Sequence, residues 1–244
     1  MVKRRKFVRL CASALAAVTA SPRLLAQSAE GTLHRYQRVK LVDHDGRTIT
    51  PKDLRVGVNY VFPYPYVCTP CFLLNVGQPL PGGIQLQTKS GQSYRWRGGV
   101  GPGHSIVAFS AICAHRMTHP SPTVSFINYR HKPTRFVDSD DEMSERPDII
   151  YCCSERSVYD VTEGARVLGG PAPQPLAAVL LDYEPAENAF YAGGTYGGDM
   201  FEPFFAKFSM RLELEYATMD IKRQVSHTAK VQTLADFTKN QVLC

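Results

Sequence analysis

From about residue 33 the chain alternates apolar and polar positions, with turn residues at short intervals. A period of two marks strands with one buried face. "IQLQTKSGQSYRWR" (84–97) reads as a hairpin turning at Ser90-Gly91, and "AAVLLDYEPAENAFYAGG" (177–194) as a second, turning at Pro185–Asn188. "HSIVAFSAI" (104–112) and "PDIIYCC" (147–153) read as short strands, each running straight into a stretch rich in cysteine. The polar segment 128–146 reads as an exposed insertion. After Gly198 the pattern gives no single period. Phe201, Phe204, Phe205 and Phe208 predict that this stretch packs on something, either its own domain or a partner subunit. The expected organisation is a leader over 1–29, a β domain over 30–198 and an extension over 199–244.

Composition supports the β reading. With 17 Pro and 18 Gly spread through 244 residues, short strands and many turns are favoured over long helices. Apolar residues make up 44%, enough for a real core. The net charge of +6 changes meaning once it is located. Lys3, Arg4, Arg5, Lys6, Arg9 and Arg23 all lie before residue 30, where there is no acid. Taking those six from 28 basic residues leaves 22 against 22 acidic ones. No basic footprint remains for nucleic acid.

The basic start belongs to a leader. Arg4-Arg5 and Phe7 precede a weakly apolar run, Leu10 to Ala20, and small residues stand near Ala26 and Ala29. The paired arginines resemble a twin-arginine export signal; the alternative is an ordinary secretory signal. The run is shorter than the ~20 residues that span a bilayer. The expectation is a periplasmic protein, membrane-associated only through an uncleaved leader or a partner subunit. Unliganded cysteines in such a compartment tend to pair. Cys68 and Cys71, in "CTPC", are the candidates for a local disulfide, or else a buried pair.

The chemistry lies in two stretches, "AICAHRMTHP" (111–120) and "YCCSERSVYD" (151–160). They supply Cys113 and His115, then Cys152 and Glu155, at the tips of two predicted strands. Farther on, "GARVLGGPAPQPL" (164–176) holds Gly170-Pro171-Ala172-Pro173. These three stretches and the closing hairpin (177–194), in this order, resemble the Rieske iron–sulfur family, over roughly residues 104–194. The resemblance implies an antiparallel β-sandwich with a small cluster-binding subdomain and a [2Fe-2S] cluster. Cys113 and Cys152 would hold one iron and His115 the other. It also implies hydrogen bonds to cluster or cysteine sulfur from Ser157 and Tyr159, and a proline loop at Gly170 and Pro171 that shields the cluster.

The chain departs from the family pattern where the second histidine is expected, because position 155 is Glu. The cysteines of the usual loop disulfide are replaced by Thr118 and Ser154, Arg156 stands for a glycine, and Cys153 for a common proline. Rieske centres span about −150 to +300 mV because neutral imidazole replaces thiolate. A carboxylate ligand restores one negative charge and should lower the potential. Arg156 could offset that charge or draw Glu155 away from metal. Other readings stay open at this point: a Cys113–Cys152 disulfide in an empty site, His115 as a loop residue, Glu155 as a solvated turn residue, and His119 or His131 as rival donors.

The resemblance implies an electron-transfer subunit of an oxidoreductase. It would pass single electrons between a quinol-oxidising or molybdenum enzyme and a periplasmic cytochrome. The alternative is a cluster-free Rieske-fold subunit that only stabilises a complex.

Overall fold

A computed structural model describes residues 32–244; the expected leader and Cys11 lie outside the described residues. The chain runs through β1 (Leu33–Val42), β2 (Tyr60–Pro63), β3 (Pro70–Asn75), the hairpin β4 (Ile84–Gln87) and β5 (Ser93–Trp96), and β6 (Ile106–Ser110). There follow β7 (Val124–Ser125), β8 (Ile127–Arg130), the hairpin β9 (Thr134–Val137) and β10 (Met143–Arg146), β11 (Ile149–Cys152), β12 (Ser157–Asp160) and β13 (Arg166–Gly169). The long hairpin β14 (Ala178–Glu184) and β15 (Ala189–Tyr196) leads into α1 (Phe201–Tyr216). The chain then forms β16 (Thr228–Lys230), β17 (Gln232–Thr233), the helical turn α2 (Leu234–Phe237) and β18 (Asn240–Gln241).

The fold is mainly β, as the alternation predicts. An eight-stranded sheet has the order β16-β1-β15-β14-β6-β3-β2-β17, and a four-stranded sheet the order β13-β12-β11-β8. In β3 the side chains divide between two cores. Phe72 and Leu74 join a core shared with Ile150, Cys152 and Tyr159 of the small sheet. Cys71 and Leu73 join a second core with Leu41, Phe62, Val179 and Ala192. Successive residues of a strand point to opposite faces, so "CFLL" is apolar throughout because both faces are covered. Both predicted hairpins form, and β6 and β11 end where the two cysteine stretches begin.

The expected exposed insertion 128–146 is corrected at its start: its first residues are β8, an edge strand of the small sheet with Ile127, Asn128 and Tyr129 buried, and the remainder contains the hairpin β9–β10, largely exposed. The extension 199–244 packs on the β domain, one of the two readings its aromatics leave open. The aromatics of α1 bury against Cys68 and Ile112. β16 then pairs in parallel with β1, β17 pairs with β2, and β18 pairs with β7. Of the two readings of this extension, packing on its own domain is the one observed. No helix among the described residues is long and apolar enough to cross a membrane.

Candidate metal centre

The two cysteine stretches meet at one end of the molecule. The first leaves β6 as a tight loop. The Cys113 amide donates to the Thr118 carbonyl at 2.8 Å, and the Met117 amide to the Cys113 carbonyl at 3.0 Å. The second is the turn of the β11–β12 hairpin, whose last cross-strand pair is Cys152 with Ser157. There the Arg156 amide donates to the Cys152 carbonyl at 2.7 Å. Arg156 has φ +59°, the left-handed region where the family resemblance places glycine. Gly170, at φ +79°, presses the third loop onto this turn; a Cβ there would run into the Arg156 carbonyl.

Cys113 and Cys152 are fully buried and not bonded to each other. Each perturbs the other: Cys152 favours the thiolate at Cys113, and Cys113 pushes the Cys152 thiol up. Burial opposes the first shift and adds to the second, while the Tyr159 hydroxyl, 3.2 Å from Cys113 Sγ, supports the Cys113 thiolate. Tyr159 also accepts the Ala114 amide at 3.1 Å and is itself buried, so its ring ties the first loop to β12. The Glu155 amide donates to the Cys152 carbonyl at 3.3 Å, so the turn closes on its own backbone.

His115 and Glu155 form the outer pair, their side chains 30% and 13% exposed. His115 Nδ1 faces Glu155 Oε2, yet it is buried and makes no proper hydrogen bond. Two donor atoms thus crowd toward one point. The other carboxylate oxygen, Oε1, lies 3.6 Å from Arg116 Nε. The cation beside Glu155 is Arg116; the ion pair considered for Arg156 is not formed among the described residues. Ser157 Oγ is buried with no partner, an arrangement that costs stability unless something else accepts or donates there. His115 also lines a cleft of about 790 Å³ with Ala114, Pro171, Pro173, Lys89 and Met200.

The four donors do not make a nest for a single ion. Among the described residues, the one group of three donors gathered within 4.8 Å is Asp43, His44 and Asp45. That group lies on the surface, and both of its carboxylates pair with Arg47. Cys113 with Cys152, and His115 with Glu155, stand instead as a sulfur pair and a nitrogen–oxygen pair. Soft thiolates at one metal and harder donors at the other are the ligand types a binuclear iron–sulfur core would take.

Each rival histidine engages Nδ1 within its own surroundings. His119 is buried between Phe204 and Phe208, its Nδ1 2.9 Å from the Met117 carbonyl. Since a carbonyl only accepts, Nδ1 carries the proton. His131 Nδ1 lies 2.7 Å from Asp148 Oδ1, which also accepts from the Tyr129 hydroxyl at 2.5 Å.

The cysteine pairing differs from expectation. Cys68 and Cys71 are free and buried, because Cys68 faces α1 while Cys71 enters the opposite core and donates to the Tyr64 carbonyl at 3.0 Å. The disulfide joins Cys153 to Cys244. The expectation of export favours pairing of unliganded cysteines, but nothing local points to partners 91 positions apart.

No family model matches the chain. Among solved structures, the soluble domain of the Rieske protein II (soxF) from Sulfolobus acidocaldarius is similar at 25% identity and a TM-score of 0.44, over 67% of this chain and 81% of that one.

Proposed function

We propose that the chain is a Rieske-type electron-transfer subunit, holding a [2Fe-2S] core through Cys113 and Cys152 on one side and His115 and Glu155 on the other. The observation that carries this reading is the pairing of two unbonded, buried thiols with an imidazole and a carboxylate across two loop tips. When bound, the core supplies a place to store one electron at a time. Everything else falls to the chain. Cys113 and Cys152 hold their sulfurs in a dry site, where the Tyr159 hydroxyl steadies negative charge at Cys113. His115 brings an imidazole edge to the cleft, which gives electrons a short way out. Arg116 offsets part of the charge that Glu155 adds.

Under this reading the protein works after export, and the partner that donates or accepts electrons supplies any substrate chemistry. A quinol-oxidising or molybdenum enzyme on one side and a periplasmic cytochrome on the other match the single-electron role. The leader over 1–29 is the basis for the export proposal. The test is anaerobic purification from iron-replete cells. Two irons per chain, visible absorption and a reduced-state electron paramagnetic resonance signal with g-values of mixed nitrogen and sulfur ligation are expected. Colourless, iron-free protein overturns it.

One observation favours the second reading, a cluster-free structural subunit. His115 and Glu155 already face one another, and a protonated imidazole would pair with the carboxylate without metal. Iron content decides between the two.

A further inference from the structure

The resemblance leads one to expect a disulfide between the two loops, and Thr118 and Ser154 rule it out. A different covalent tie reaches the same place. Cys153 directly follows Cys152, and its partner Cys244 comes from the end of the segment that wraps back after α1. That segment is laid down along the stretch joining the first loop to β8. Lys239 donates its amide to the Pro122 carbonyl at 3.0 Å, and Val242 to Ser125 at 2.9 Å. Asn240 and Gln241 pair in parallel with Val124 and Ser125. Asn128 Nδ2 donates to the Val242 carbonyl at 2.9 Å. The strap therefore grips the continuation of the first loop and bonds to the turn of the second.

A second observation concerns the reactivity of this bond. Arg130 Nη2 lies 3.5 Å from Cys153 Sγ, and Arg130 Nε is buried with no hydrogen-bond partner. A cation beside a cysteine stabilises its thiolate, which makes that sulfur a better leaving group and a better attacking group in exchange. Cys244 is exposed and Cys153 half-buried, whereas the four free cysteines, Cys68, Cys71, Cys113 and Cys152, are all buried. A soluble dithiol therefore meets the 153–244 bond first.

The geometry points to a redox latch: the Cys153–Cys244 bond, with Arg130 as its activating cation, positions the turn that carries Cys152 and Glu155. Closing it joins two thiols into one disulfide and gives up two electrons and two protons to a disulfide-donating oxidant; a dithiol reductant reverses the step. In a reducing compartment the latch is open and the turn is held only by its own hydrogen bonds. In an oxidising one it closes and fixes the turn. The metal side of this inference rests on the proposed function; the latch itself does not.

Hydrogen exchange on the full-length chain tests it, because the Glu155 and Arg156 amides both bond to the Cys152 carbonyl and report on the turn. Two preparations are compared with the oxidised protein: wild type treated with a dithiol reductant, and the double variant Cys153→Ser, Cys244→Ser. Replacing both cysteines avoids leaving a reactive thiol beside Cys152. In each, exchange at Glu155 and Arg156 should rise about tenfold, as local opening becomes easier, and iron should pass to a chelator faster by a similar factor. Reoxidation of the wild type should restore protection. Faster exchange confined to 239–243, with Glu155 and Arg156 unchanged, overturns the latch; so does a peptide map without the 153–244 bond. A protein whose turn loosens on reduction but which never holds iron keeps the latch and removes the cluster.

Discussion

The inner and outer halves of the candidate centre are built differently. The sulfur half is enclosed: Cys113 and Cys152 have no exposed surface, and Tyr159 braces one loop against β12 through two contacts. The nitrogen–oxygen half sits at the rim, where His115 and Glu155 retain exposure and meet without a proper hydrogen bond. In the inner half the fold dictates the geometry; in the outer half two side chains on turn tips do. A change of donor type is easier to accommodate at the rim than in the enclosed half, and the position where the resemblance leads one to expect histidine, Glu155, is at the rim.

The largest effect should therefore come from the inner half. Cys113→Ser or Cys152→Ser should reduce bound iron to background while far-ultraviolet circular dichroism stays that of a β protein. Iron retained by either variant would mean that the sulfurs do not form the floor of the site. In the outer half, Glu155→His should keep the iron and alter the potential. Removing one negative charge should raise the midpoint by about 60 mV or more, a tenfold shift for a one-electron couple. A second imidazole should add a pH-dependent step above neutrality, visible in redox titrations at several pH values. An unchanged potential would place Glu155 outside the metal's reach.

Tyr159→Phe probes the brace between the halves. It leaves Cys113 Sγ and the Ala114 amide without their shared partner in a buried setting, which should cost about 1–3 kcal/mol of stability in chemical denaturation. In iron-loaded protein the midpoint should also fall, because a hydrogen bond to ligand sulfur favours the reduced state. Equal stability in the two proteins would make the hydroxyl incidental.

These contrasts also explain what could be read from sequence. The strands leading to Cys113 and Cys152 are visible because alternation and turn residues are local signals, and the hairpin turns at Ser90-Gly91 and Pro185–Asn188 carry their own chemistry. The ligand-type residues were visible because their spacing resembles a known family. The remainder depended on long-range contact. β16, β17 and β18 are two or three residues each and exist only because β1, β2 and β7 offer edges. β8 was hidden because its buried Asn128 and Tyr129 look polar until their partners, the Val242 carbonyl and Asp148, are known. Closeness in sequence misled at Cys68 and Cys71, whose side chains enter different cores. Arg116 was overlooked in favour of Arg156, since adjacency to Glu155 does not tell which loop's cation faces it.

The smallest expected effect tests whether His119 belongs to the site or to the packing beside it. Its ring meets Phe204 and Phe208 edge-on, and Nε2 is buried without a partner. Burial holds the imidazole below its ordinary pKa, the Met117 carbonyl opposes this, and nearby charges divide, with Arg211 and Lys207 disfavouring the cation and Glu215 favouring it. The unfolded chain therefore binds this proton more readily than the folded one. The stabilising contribution is present in full above about pH 6.5 and is lost as pH falls toward the depressed value, with a slope of up to about 1.4 kcal/mol per pH unit. His119→Phe keeps an aromatic ring against α1 and removes the titrating group. Denaturation between pH 5 and pH 7 (chosen about the ordinary imidazole value) should show a flatter dependence in the variant, while iron content and midpoint potential stay those of the wild type. A changed potential would move His119 into the centre; an unchanged slope would mean that α1 opens to water before the proton arrives.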